Sequence, residues 1–221
     1  MTVRVEFFFD LSSPWTRLAF ANIRPALDGL NYSIAWRPFL VGGVFNAVNP
    51  SVYESRKPEN AARLARSFGW LKQWAELAGV GMNFPSEHHP LKSVNAMRFC
   101  CALEEEQEAL ERFAHAAFEA YFTHARNLDD PAVLVAVANE AGLGGAALAE
   151  RAASQPVKDC LRANTDEAIA RGAFGSPTII VHDPTGEEQL YFGNDQLPLV
   201  RAKVARSEER RVGKECRSRW S

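Results

Sequence analysis

Val3-Arg4-Val5-Glu6-Phe7-Phe8-Phe9-Asp10-Leu11-Ser12-Ser13-Pro14-Trp15 opens the chain with a strand that runs straight into a helix start. Residues 3–9 are β-branched and aromatic, the pattern of a buried strand. Asp10 to Ser13 breaks that pattern. Serine before proline is a helix-start signal, with Ser13 at the N-cap and Pro14 in the first helical position. Trp15, Leu18, Ala19, Ile23 and Ala26 recur at helical spacing, and the run ends at Gly29. Residues 32–39 read as a second strand, so the chain begins β-α-β with a short turn from strand to helix.

From about residue 58 to 170 the apolar periodicity is helical almost throughout, punctuated by Gly79, Asp130-Pro131 and Gly142. A helix over residues 164–171 leads out of this block. Thr178-Ile179-Ile180-Val181-His182 and Gln189-Leu190-Tyr191-Phe192 then flank the turn residues Asp183-Pro184-Thr185-Gly186, which predicts a hairpin. A last helix is expected over residues 196–205. The order β-α-β, helical block, α-β-β-α is that of an α/β fold: a thioredoxin-like domain with an inserted all-helical domain. The thioredoxin-like part takes residues 1–48 and 164–205, and the insertion takes 49–163. Residues 206–221 carry six basic and three acidic side chains with Val212 as the single aliphatic one. They are read as a disordered, non-native tail, and Cys216 is set aside with them.

Composition narrows the function classes. A chain of 221 residues with 47% hydrophobic residues can bury a core, and a net charge of −2 lacks the basic footprint of a nucleic-acid binder. No apolar run approaches the roughly 20 residues of a membrane span. The first residues lack the order of a secretory signal, so a cytoplasmic protein is expected. The four cysteines, Cys100, Cys101, Cys160 and Cys216, include no C-x-x-C pair, and the histidines do not fall at ligand spacing around them. Neither a disulfide framework nor a metal site is expected. Cys100 and Cys101 are read as buried and inert, Trp70 and Trp74 as a core face of the insertion, and Glu104-Glu105-Glu106 as a solvated helix end.

Three segments carry the chemistry: Phe8 to Trp15, Phe174-Gly175-Ser176-Pro177-Thr178, and Phe192-Gly193-Asn194-Asp195. A helix N-terminus presents free N–H groups and partial positive charge, and so favours an anion. In thioredoxin-like oxidoreductases that anion is a cysteine thiolate. Here the four positions read Ser13-Pro14-Trp15-Thr16, so dithiol–disulfide exchange is not available. A serine hydroxyl does not ionise at neutral pH, but it donates a hydrogen bond to a thiolate supplied from outside. That predicts a thiol cofactor, glutathione. Ser176-Pro177 just before a strand invites a cis peptide bond, beside which backbone groups can pair with a peptide as an added strand. Asp195 can accept the γ-glutamyl ammonium of glutathione, while nearby N–H groups take its carboxylate. Taken singly, Ser13 is equally an ordinary N-cap, Pro177 a strand-start proline and Asn194 or Asp195 a cap. The three in this order are far more specific than any one.

These residues resemble the 2-hydroxychromene-2-carboxylate isomerases and the kappa-class glutathione transferases, which share a DsbA-like fold. The marks are Phe9-Asp10-x-x-Ser13-Pro14, Val41-Gly42-Gly43-Val44-Phe45, Phe84-Pro85, Asn95-Ala96-Met97-Arg98-Phe99, Phe174-Gly175-x-Pro177-Thr178 and Gly193-Asn194-Asp195. The resemblance implies that Ser13 is the catalytic serine holding the glutathione thiolate. It implies cofactor contacts from Ser176, Pro177, Phe192, Gly193, Asn194, Asp195 and Arg63, and a second-substrate pocket roofed by the helical domain, expected to draw on Trp15, Asn46 and His88, with His89 the alternative to His88. In those isomerases the thiolate adds reversibly to an unsaturated substrate. The implied activity is therefore a glutathione-dependent isomerisation of an aromatic or unsaturated acid by a homodimer. A kappa-type transferase or peroxidase, or a non-catalytic glutathione- or peptide-binding module, are the alternatives. Asn46 stands where the isomerases place a lysine, and Gln196 where an arginine is common.

Overall fold

The computed structural model describes residues 2–183 and 185–218, with the backbone alone at residues 55, 56 and 209–218. Pro184 of the expected hairpin turn lies outside them. Strand β1 (Val3–Phe9) pairs in parallel with β2 (Tyr32–Pro38) and antiparallel with β3 (Thr178–His182), which pairs antiparallel with β4 (Glu188–Phe192). The sheet order is β2-β1-β3-β4. Helix α1 (Pro14–Ala26) crosses from β1 to β2, the right-handed connection that parallel pairing requires.

β1 is central, and all of it except Arg4 is buried. Its side chains alternate between the two faces. Phe7 and Phe9 point into the main core, where Phe7 meets Trp36 at 5.2 Å and Phe20 meets Trp36 at 4.4 Å between ring centroids. Phe8 points the other way, edge-on to Phe39 at 6.1 Å, in a smaller cluster with Val44, Ala168 and Ile180. That second face is covered by α2 (Val41–Val48) and α8 (Gln155–Ala170), which pack on each other. On the main-core side α1 packs against α9 (Leu197–Ser218) and α3 (Ala61–Ala78).

The helical block holds α3, α4 (Val94–Ala102), α5 (Gln107–Phe118), a π-helical turn (Glu119–Thr123), α6 (Pro131–Glu140) and α7 (Gly145–Ala153). Short 3-10 segments at Pro50–Arg56 and Pro58–Asn60 precede it. Among the described residues no helix is long and apolar enough to cross a membrane.

α2 has no counterpart in the sequence reading, and three expectations differ from the structure. α2 forms despite Gly42 and Gly43, because it packs against α8 and its first N–H is held by Asp10. α8 begins at Gln155, where the sequence pattern starts a helix only at residue 164, and runs unbroken to Ala170. α9 continues beyond Ala205 to Ser218: Ser207 is buried, and Glu208 accepts a hydrogen bond from the Asn31 N–H. Residues 206–218 of the expected tail are thus helical, and residues 219–221 lie outside the described residues. Trp70 and Trp74 face solvent. The buried pair on α3 is Leu71 and Ala75, the same i,i+4 spacing one residue further round the helix.

Candidate active site

Ser13 stands where the end of β1 turns into α1. Its backbone is extended and its Oγ accepts the Thr16 N–H at 3.2 Å, a side-chain N-cap. The same Oγ donates to the carbonyl of Ser176 at 3.1 Å. Ser176-Pro177 is cis, as the sequence suggested. The hydroxyl thus bridges the two segments whose meeting sequence analysis anticipated, 163 residues apart. A second contact runs beneath it. Ser176 Oγ lies 2.7 Å from Thr16 Oγ1 and accepts the Asp10 N–H at 3.0 Å. The Ser176 N–H has no hydrogen-bond partner among the described residues.

Asp10 is the residue whose role sequence analysis missed. It is fully buried. Oδ1 accepts from the Ser12 N–H and Oγ, both at 2.8 Å; Oδ2 accepts from the Val41 N–H at 2.9 Å and Ser93 Oγ at 3.0 Å. One side chain therefore ties the β1 end to the first turns of α2 and α4. Burial pushes its pKa above the ordinary aspartate value, and these hydrogen bonds oppose the shift. The two backbone N–H groups can only donate, which suits a carboxylate. An acid directly after the aromatic run Phe7-Phe8-Phe9 was the sequence signal for this hub.

The third segment closes the site's far side. Gly193 has φ +97°, and a Cβ there would stand 2.7 Å from Asp195 Oδ1, so the turn requires glycine. The Gly193 N–H donates to the Pro177 carbonyl at 3.3 Å, which joins this turn to the cis-proline loop. Asn194 is buried and accepts from Asn22 of α1 at 2.9 Å, so its side chain is structural. Asp195 pairs with Gln196 at 3.0 Å. Phe192 packs on Phe174 at 4.5 Å, both half-exposed, and fits closely against Gly175.

A cleft of about 370 Å³ opens beside Ser12, between the start of α2 and the loop 89–94. His89 lines it. His88, the expected contact, does not; its ring lies near Glu87. Asn46 is also displaced: it accepts from the Tyr53 hydroxyl at 2.8 Å, and it is Tyr53 that reaches the cleft. Trp15 is half-buried against the main core. Arg63 is exposed and lines a separate cleft with Ser51, Glu54 and Asn60, on the 3-10 segment Pro50–Arg56.

The thiols lie elsewhere. Cys100 is buried, and burial raises its pKa well above the usual value. Cys101 is raised as well, by its hydrogen bond with Cys160 and by burial. Sulfur and oxygen atoms of Cys101, Glu104 and Cys160 lie within 4.8 Å of one another. Protein donors already occupy Glu104: Cys160 Sγ at 3.0 Å, Asn164 Nδ2 at 2.7 Å, and Arg37 Nε at 3.4 Å. Glu104 is therefore a partly buried pairing partner, while Glu105 and Glu106 are exposed.

A thioredoxin fold whose first-helix N-terminus and cis-proline loop meet through a serine hydroxyl, with no sulfur at either point, defines a thioredoxin-class protein without the dithiol. The chain belongs to the DSBA-like thioredoxin domain family, which it matches over residues 4–205. It is 27% identical over 201 residues to glutathione S-transferase kappa 1 of Rattus norvegicus, covering 89% of this chain and 88% of that one. It is 26% identical over 201 residues to 2-hydroxychromene-2-carboxylate isomerase of Sphingobium xenophagum, covering 90% and 97%. Among solved structures, a 2-hydroxychromene-2-carboxylate isomerase superposes with TM-score 0.77 at 20% identity over 95% of this chain and 98% of that one. The cytosolic disulfide reductase DsbM from Pseudomonas aeruginosa, solved with GSH, gives 0.59 at 14% identity over 95% and 98%.

Proposed function

We propose that this chain binds glutathione with its sulfur at Ser13 and uses it to isomerise an aromatic or unsaturated acid. The observation that carries the reading is the Ser13 hydroxyl, held between the α1 N-terminus and the Ser176 carbonyl. Bound there, glutathione would supply a thiolate nucleophile that can add to an unsaturated carbon and leave again.

The residues fit that group. Ser13 has one hydroxyl proton, and turning it about the Cβ–Oγ bond redirects it from the Ser176 carbonyl to an incoming anion without moving any heavy atom. A hydrogen bond to a charged partner is worth about 1.5–3 kcal/mol, against about 1 for a neutral one, so an anion wins the proton. The same turn frees the Ser176 carbonyl. With its unpaired N–H, Ser176 then offers an extended peptide one donor and one acceptor, the pairing of an added strand. Asp195, near the start of α9, is assigned to the ammonium end of the tripeptide. Arg63 lies on its own cleft, so the assigned contacts are Ser13, Ser176, Pro177 and the turn from Phe192 to Asp195.

The test is calorimetry with glutathione, coupled to a pH titration of the bound thiol by its thiolate absorbance. Binding is expected, with the bound thiol titrating below the free one. In Ser13→Ala that pKa should return upward by about one unit, the loss of about 1.4 kcal/mol of selective stabilisation. No heat of binding in the wild-type protein would end the proposal. The kappa-class relative supports a second reading, conjugation. Mass spectrometry of products separates the two: isomerisation leaves glutathione unconsumed, and conjugation does not.

A further inference from the structure

We propose that Lys92 makes the cleft beside Ser12 a carboxylate-binding subsite for the second substrate, an apolar acid. This deepens the proposed function by assigning the charged end of that substrate. The cleft walls are largely apolar, with Leu40, Val41, Phe45, Leu91 and Val94 among them. Lys92 is the one lysine or arginine in its lining, and no aspartate or glutamate lines it.

The placement of Lys92 is built in. Its neighbours Leu91 and Ser93 are buried, while Lys92 itself is exposed. Its backbone N–H donates to Asp129 at 2.9 Å, and Ser93 is fixed by its bond to Asp10. The backbone that carries Lys92 is therefore held at both flanks. The ammonium makes no ion pair with any described residue, Asp129 included, although Asp129 is the carboxylate packed against this loop. Of the other polar side chains of the wall, Ser12 and Ser93 donate to Asp10, Tyr53 donates to Asn46, and the His89 ring packs edge-on to Phe84 at 4.6 Å. A molecule filling this cleft with apolar surface thus meets one uncommitted cation. A carboxylate is the group that pairs with it, and the low-dielectric wall strengthens that pairing over one in open water. Ser12 borders the cleft and Ser13 follows it directly, so the apolar body of the ligand lies next to the proposed sulfur position.

The experiment compares calorimetric binding of cinnamate and of its neutral isostere cinnamamide, in wild-type protein, Lys92→Met and Lys92→Arg. The wild type is expected to bind cinnamate about tenfold more tightly, the size of one partly shielded ion pair. Lys92→Met should erase that preference while leaving cinnamamide unchanged, and Lys92→Arg should keep it. A wild type that binds neither compound, or shows no preference, overturns the subsite, as does a preference that survives in Lys92→Met. A glutathione titration on the same samples keeps the two proposals apart. Heat with cinnamate that tracks Lys92, without heat from glutathione, would leave the subsite standing and remove the cofactor reading.

Discussion

Ser13 and Asp10 are three residues apart and illustrate what a sequence discloses about a site. Ser13 was legible because serine before proline after a strand has a local meaning, and because its two partner segments are motifs in their own right. Asp10 was not, because its four donors come from Ser12, Val41 and Ser93, and nothing in the sequence shows that α2 and α4 begin beside it. The two should fail differently. Ser13→Ala removes an N-cap and the hydrogen bond to the Ser176 carbonyl, at a cost of about 1–2 kcal/mol of stability, and leaves the donors around Asp10 in place. Its thermal midpoint should fall only slightly while the thiolate titration of bound glutathione moves up by about one pH unit. Asp10→Asn places an amide NH₂ among groups that donate, leaving at least one buried N–H without an acceptor. A loss of about 1–3 kcal/mol follows, together with weaker glutathione binding, since Ser12 and the Asp10 N–H that supports Ser176 shift with it. Chemical denaturation of both variants checks this: equal stabilities would show that Asp10 is not the organising residue.

Helices and strands were readable to the extent that local pattern decided them. β1, β2 and β3 declared themselves through β-branched and aromatic runs. α2 did not, since two glycines disfavour a helix by about 1 kcal/mol each and only its packing against α8 overrules them. On α3 the i,i+4 periodicity holds with another phase: Leu71 and Ala75 are buried while Trp70 and Trp74 face solvent, and spacing alone does not set which face turns inward. α9 was cut short for a similar reason: a charged segment cannot bury a face, yet single residues in it can be anchored. Ser207 and Glu208 lie past the expected end at Ala205, one buried and the other bonded to Asn31 at the start of β2. A chain ending at Ala205 should therefore melt below the full chain, by about 2–4 °C for each kcal/mol of stability removed from a protein of this size. A chain ending at Glu208 should recover most of that difference. Identical midpoints for all three would return residues 206–208 to the status of a tail.

Stability and function occupy opposite ends of β1. Its C-terminal end delivers Asp10 to the site. Its N-terminal half places Glu6, nearly fully buried, against Arg171 Nη1 at 2.7 Å and His182 Nε2 at 2.6 Å, with Arg4 at 2.7 Å. Arg171 also reaches Glu167 and Glu188, so the network joins β1, α8, β3 and β4. Burial alone would raise the Glu6 pKa, but the hydrogen bonds from Arg171 and His182 outweigh it and leave the pKa below the ordinary value. Asp183, at the end of β3, behaves alike: hydrogen bonds from Thr185 and Glu187 and the charge of Lys203 overcome its burial and hold it at about 2. A carboxylate whose folded pKa lies below its unfolded value stabilises the fold above the unfolded pKa, near 4, and that contribution is lost as pH falls through the folded value. Asp10 has the opposite sign, being raised, so it offsets part of the loss. The thermal midpoint should thus decline between about pH 4.5 and 2. Glu6→Gln should lower it at neutral pH, by about 1–3 kcal/mol in stability, because Arg171 loses its buried partner. As pH falls through the lowered folded pKa of Glu6, the gap between variant and wild type should narrow, since acid then neutralises Glu6 in both states. Glutathione binding at neutral pH should be the same in both, as Glu6 lies away from Ser13 and Ser176 along the strand. A gap that stays constant across the acid range would mean that Glu6 contributes packing and not charge.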